Sequence, residues 1–213
     1  MMKPDYSLYL VTDRALSLGR SLTEIVTEAV AGGVSCVQLR EKNCFTRKFV
    51  EEGFLLQKLL KPKNIPLIIN DRVDVAMVIG ASGVHLGQDD MRLVDARRIL
   101  GPDCIIGISV ESVQDAVQAA ADGADYLGVS PVFATPTKTD TAPPLGLEGL
   151  RAIRRVVDIP LVAIGGINTY NCASVMAAGA DGLAVVSALM SARSPKAAAI
   201  NIRRAAGLSE KRI

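Results

Sequence analysis

Short apolar runs rich in β-branched residues alternate with longer stretches whose apolar positions recur every three to four residues, from one end of the chain to the other and without a break in composition. The runs predict strands at Leu8 to Val11, Cys36 to Leu39, Leu67 to Ile69, Val84 to Leu86, Ile105 to Ile108, Tyr126 to Val129, Leu161 to Ile164 and Leu183 to Val186. Each is followed by a helical stretch, for example Leu22 to Ala31, Val113 to Ala121 and Lys196 to Ala206. A weak repeat joins helix to strand through glycine: Ala31-Gly32-Gly33-Val34, Gly80-Ala81-Ser82-Gly83, Asp122-Gly123-Ala124-Asp125 and Ala178-Gly179-Ala180-Asp181. Glycine accepts the left-handed conformation at a helix C-terminus and lets the chain turn at once into the next strand. Tight helix-to-strand returns imply parallel strands, which either close into a barrel or form an open sheet. The 213 residues divide into eight units of about 27, and no G-x-G-x-x-G follows the first strand. The predicted fold is therefore α/β, a single (β/α)8 TIM barrel spanning 1–213 with its core at about 7–206, and function is expected at the rim where strands end.

Composition narrows the picture. Hydrophobic residues make up 49% of the chain and charged residues 22%, but aromatics only 4% with no Trp, so the core is expected to consist of Val, Ile, Leu and Ala. Such a chain is neither disordered nor a disulfide scaffold. The 24 Lys and Arg nearly balance the 22 Asp and Glu, leaving +2 and no footprint for nucleic acid. Cys36, Cys44, Cys104 and Cys172 show no metal or redox spacing and read as reduced thiols, which with the absence of a signal-like start predicts a cytoplasmic protein. No run of 18 apolar residues suggests a membrane span.

The strand ends carry the chemistry. Alternation puts Gln38 and Arg40 on one side of the second strand, and Lys42 continues the line, gathering two cations and an amide as an anion site. Asn70-Asp71 and the segment His85-Leu86-Gly87-Gln88-Asp89-Asp90 bring carboxylates to adjacent strand ends: a seat for Mg²⁺, or helix N-caps. His85, the only histidine, reads more readily as a satisfied supporting residue than as an acid or base. Ser109 could touch substrate or cap the following helix. Residues 130–146 form a loop far longer than usual, whose Thr135-Pro136-Thr137-Lys138 offers two hydroxyls and a cation, as a lid over an anionic substrate would. Gly165-Gly166 after the seventh strand and Val186-Ser187 after the eighth suggest a phosphate cup.

Taken in order, Gln38-Leu39-Arg40-Glu41-Lys42, Asn70-Asp71, Val84 to Asp90, Gly107-Ile108-Ser109, Thr135 to Lys138, Pro143-Pro144-Leu145-Gly146-Leu147, Gly165-Gly166-Ile167 and Val186-Ser187 resemble the thiamine-phosphate synthase family. The resemblance runs from Tyr9 to about Ala188. It implies a transferase of thiamine biosynthesis that joins hydroxymethylpyrimidine diphosphate to thiazole phosphate with Mg²⁺, giving thiamine phosphate and pyrophosphate. It also implies that Gln38, Leu39, Arg40, Glu41, Lys42, Asn70, Ser109 and Lys138 hold the pyrimidine diphosphate. Arg40, Lys42 and Lys138 would serve the departing pyrophosphate. Thr135, Pro136, Thr137, Gly166, Val186 and Ser187 would hold the thiazole phosphate, and Asp71 and Asp90 the metal. Asp89 stands where the family pattern has Glu, a conservative departure.

Three other readings use parts of the same set. A thiazole tautomerase on this barrel would need neither a diphosphate clamp nor Mg²⁺. Another phosphate-binding isomerase would need an acid/base pair at the rim, and a thiamine-phosphate sensor would need no complete metal and lid set. The expected partners are the small-molecule substrates, with no nucleic acid or membrane, and homo-oligomerisation is left open, as is the role of 207–213.

Overall fold

The structure is a computed structural model that describes residues 4–135 and 143–209. Eight strands, β1 (Leu8–Val11), β2 (Cys36–Leu39), β3 (Leu67–Asn70), β4 (Gly83–Leu86), β5 (Ile105–Val110), β6 (Tyr126–Val129), β7 (Leu161–Ile164) and β8 (Gly182–Val185), pair in sequence order, every pair parallel, and β8 closes on β1. Helices α1 (Leu22–Ala31), α2 (Thr46–Leu60), α3 (Val73–Ile79), α4 (Leu93–Leu100), α5 (Val113–Ala121), α6 (Gly146–Arg154), α7 (Cys172–Ala177), α8 (Ser187–Met190) and α9 (Pro195–Ala205) form the outer ring. The predicted barrel is the observed one. The boundaries move slightly: β5 runs on to Val110, and β8 starts one residue before the expected position.

The strands are mostly apolar on both faces because both faces are buried, and Gln38, Asn70, His85 and Ser109 interrupt them towards their C-terminal ends. Leu8, Leu10, Val37, Leu39, Leu67, Ile69, Val84 and Leu86 point outward into the layer between barrel and helices, which is built from Val, Ile, Leu and Ala as expected. The barrel interior departs from that expectation. Tyr6, Tyr9 and Tyr126 pack there with Val11, Cys36, Ile68, Val162 and Ala184, so three of the four tyrosines fill the barrel. The rings of Tyr6 and Tyr126 stand 4.6 Å apart.

The helix-to-strand repeat marks a unit of two strands. Gly33, Gly80, Gly123 and Gly179 all have positive φ, and each is followed two residues later by a polar side chain just before an even-numbered strand: Ser35, Ser82, Asp125 and Asp181. That side chain accepts from the N–H of Leu8, Leu67, Ile106 and Leu161 respectively, at 3.0, 3.2, 2.7 and 2.8 Å. Its own N–H donates to the carbonyl of Leu8, Leu67, Ile106 and Leu161 in turn. The same clasp thus recurs four times around the end of the barrel opposite the rim. Arg97 and Arg154 brace the two aspartates, at 2.7 and 2.9 Å. Among the described residues no helix is long and apolar enough to cross a membrane, and the four cysteines are free.

Candidate active site

Alternation along each strand sends one set of side chains inward, and towards the rim this set becomes polar. Gln38, Arg40, Asn70, His85 and Ser109 line a cavity of about 460 Å³ together with Tyr9, Tyr126, Asp71, Asp90, Thr135, Gly165, Gly166, Val186 and Ser187. Elements far apart in sequence meet here because every strand ends at the same rim.

One wall is ionic. Arg40 reaches Asp13 at 3.0 Å, and its main-chain N–H is held by Thr12 Oγ1. Lys42 Nζ lies 2.6 Å from Asp71 Oδ2. Asp71 is left-handed, with φ +62°, and its N–H donates to the His85 carbonyl at 2.8 Å. This conformation carries its carboxylate to that of Asp90, which also accepts from Gly87 N–H at 2.7 Å. Burial first, then the neighbouring Asp71 carboxylate, pushes the Asp90 carboxyl above its ordinary range; Gly87 N–H and Lys42 act against this. Neither aspartate is an N-cap, since α3 and α4 begin after Arg72 and Arg92, so the capping alternative falls.

The opposite wall is glycine and main chain. Gly165 and Gly166 have φ +105° and +65°, and β-carbons there would lie 2.9 Å from Pro131 Cβ and Phe133 Cβ, so only glycine lets the two loops close on each other. Val132 and Phe133 N–H groups extend the β6–β7 pairing onto the Ile164 and Gly165 carbonyls. Asn168 and Asn171 side chains both donate to the Gly166 carbonyl, at 3.2 and 2.9 Å. Ser187 opens α8 beside them.

Two site candidates face elsewhere. Leu39 is fully buried on the outward side of β2, and the Glu41 side chain is held by Arg14 at 2.9 Å from Nε, so neither side chain lines the cavity; alternation carries both away from it. Asp89 is exposed. Ser109 binds His85 at 2.9 Å, and α5 is capped by Ser112 instead. Pro136, Thr137 and Lys138 lie outside the described residues. Sequence reading missed Tyr9, Tyr126, Asp13 and Asn168. The first two carried a usable signal, a hydroxyl-bearing ring at an inward strand position in a chain poor in aromatics.

The chain matches the family model described as thiamine monophosphate synthase over residues 8–189. A thiamine-phosphate synthase from Albidiferax ferrireducens is 58% identical over 197 residues, 92% of this chain and 90% of that protein. One from Chloroflexus aurantiacus is 51% identical over 98% of this chain and 96% of its own length. Among solved structures, a thiamine phosphate pyrophosphorylase from Pyrococcus furiosus superposes with a TM-score of 0.88 at 41% identity, covering 96% of this chain and 97% of that one. With its closed barrel and the ionic and glycine walls meeting at one rim, the chain belongs to the thiamine monophosphate synthase family.

Proposed function

We propose that this cavity performs the reaction for which the family is named, joining hydroxymethylpyrimidine diphosphate to thiazole phosphate with release of pyrophosphate. One observation supports the residue assignment: a single cavity is lined on one side by Arg40, Lys42, Asp71 and Asp90 and on another by Gly165, Gly166, Val186 and Ser187, two chemically different walls that suit a diphosphate and a monophosphate substrate.

In this reading Arg40, Lys42 and Lys138 bind the diphosphate and take up the charge that grows on it as the carbon–oxygen bond breaks. Gln38, Asn70 and Ser109 hold the pyrimidine, with Leu39 and Glu41 contributing through their main chain. Gly166, Val186, Ser187 and Thr135 to Thr137 hold the thiazole phosphate and aim the ring nitrogen at the methylene carbon. That nitrogen already carries a lone pair, so the step needs no strong base, which suits a rim with one histidine.

Two carboxylates within hydrogen-bond reach of each other, one of them driven towards protonation, form a donor pair that a hard divalent cation would relieve. Mg²⁺ is such a cation, taking one or two carboxylates and filling its other positions from substrate and water. Asp71 and Asp90 would hold it, and it would supply charge neutralisation to the phosphate oxygens.

Pyrophosphate release is expected only with both substrates and Mg²⁺ present, and is expected to disappear with EDTA and in Asp71→Ala. Release that persists in the variant would remove the metal assignment. No release despite thiazole phosphate binding would favour the tautomerase or sensor reading.

A further inference from the structure

Five polar side chains form an unbroken hydrogen-bond chain across the cavity floor, and the reaction as described uses only the two at its ends. Gln38 Nε2 donates to the Tyr9 hydroxyl at 3.0 Å, and the Tyr9 and Tyr126 hydroxyls are 2.9 Å apart. Tyr126 lies 2.9 Å from His85 Nδ1, and His85 Nε2 lies 2.9 Å from Ser109 Oγ. The members come from five strands, and the fold clears space for them. A β-carbon at Gly107 would collide with the Tyr126 phenol, and one at Gly128 would sit 2.8 Å from His85 Cε1.

With the Gln38 amide presenting Nε2 to the Tyr9 hydroxyl, proton counting sets the direction of the rest of this chain. A phenol has one proton to give. Tyr9 accepts from Gln38, so its own proton goes to Tyr126, and the Tyr126 proton goes to His85 Nδ1. A ring nitrogen that accepts is bare, so the imidazole proton sits on Nε2 and is donated to Ser109 Oγ. The Ser109 proton is then left for the cavity. Burial, foremost, holds both phenols well above their ordinary range, so each keeps its proton.

We propose that Tyr9, Tyr126 and His85 are positioning residues that fix the polarity of the two ends of this chain, keeping the Gln38 carbonyl as an acceptor and the Ser109 hydroxyl as a donor towards the cavity. A 4-aminopyrimidine complements both, since its amino group donates and its ring nitrogens accept. A pyrimidine with oxygen in place of the amino group sets acceptor against acceptor at Gln38. Tyr9, Tyr126 and His85 therefore form a specificity device that acts on the amino substituent through Gln38 and Ser109. The opposite polarity is also self-consistent, with Nδ1–H donating to Tyr126, Tyr126 to Tyr9, and Tyr9 to a turned Gln38 amide, and it would favour the oxygen analogue. The inference rests on the reading that the pyrimidine lies against Gln38 and Ser109.

Two measurements test it. His85 is the only histidine, so the ¹⁵N spectrum of the tag-free protein contains one imidazole. Nε2 is expected to carry the proton and Nδ1 to be bare; a proton on Nδ1 overturns the proposal whether or not the protein turns over substrate. In Tyr9→Phe, which removes one hydroxyl and keeps the ring, the KM for the pyrimidine diphosphate is expected to rise about tenfold. The preference for the amino over the oxygen analogue should fall by about the same factor, with the KM for thiazole phosphate unchanged. A folded Tyr9→Phe that keeps the wild-type preference, or in which both KM values rise alike, overturns it. Absence of pyrophosphate release from the wild type would instead defeat the functional reading, while the ring proton would still decide this inference.

Discussion

Asp71 lines the cavity in a conformation that the fold alone would not favour. Its left-handed backbone, φ +62°, is strained for a residue with a side chain, and its carboxylate faces that of Asp90. The 2.6 Å pair with Lys42 is half exposed and returns little. Asp71→Gly is therefore expected to raise the unfolding free energy by up to about 1 kcal/mol, read from the denaturant midpoint, while pyrophosphate release collapses. A loss of more than about 1 kcal/mol would show that the carboxylate is there for stability. Much at this scale was legible: strand alternation placed Gln38 and Arg40 on one side, and both line the cavity. Leu39 and Glu41 belong to the same contiguous motif, and the same alternation turns their side chains away from the cavity. The partnership of Asp13 with Arg40 was invisible, since 27 residues separate them.

At the scale of elements, the end of the barrel opposite the cavity is stitched by the fourfold clasp, none of whose four polar side chains lines the cavity. Asp125→Ala strips the acceptor from Ile106 N–H and the partner from Arg97. It is expected to cost about 1 to 3 kcal/mol, most of it from the unmet N–H, because the ion pair is partly exposed. The urea midpoint should fall with kcat and both KM values unchanged under conditions where the protein is folded. A fall in kcat without a fall in stability would contradict the division between a stabilising end and a working rim. The clasp was half legible. The glycine and the small or acidic residue stood out in the sequence at Gly33, Gly80, Gly123 and Gly179, because a left-handed turn restricts residue choice locally. That the polar residue grips the preceding odd-numbered strand depends on strand pairing, which no local rule contains.

For the whole molecule, closure of eight strands leaves an interior that Tyr6, Tyr9 and Tyr126 fill, and burial is the first cause raising each phenol's pKa above its ordinary value of 10.0. In the unfolded chain these phenols lose protons near pH 10 while in the folded chain they keep them, so the unfolded state binds fewer protons and stability falls as pH rises past 10. The slope is expected to approach about 1.4 kcal/mol per pH unit for each buried tyrosine. Tyr126→Phe should make this loss shallower in alkaline denaturation; an unchanged slope would mean that its phenol ionises freely in the folded protein. Taken alone, the sequence determined the order and type of the elements, the parallel barrel, and the rim on which the candidate residues gather, because hydrophobic period, glycine turns and strand-end residues are local consequences of backbone geometry. Only the tertiary structure decided that Asp71 meets Asp90 rather than capping a helix, that two loops close over Gly165 and Gly166, and that Gln38, Tyr9, Tyr126, His85 and Ser109 form one line. These are contacts between strands many residues apart, fixed by the register and closure of the barrel and so absent from any local pattern.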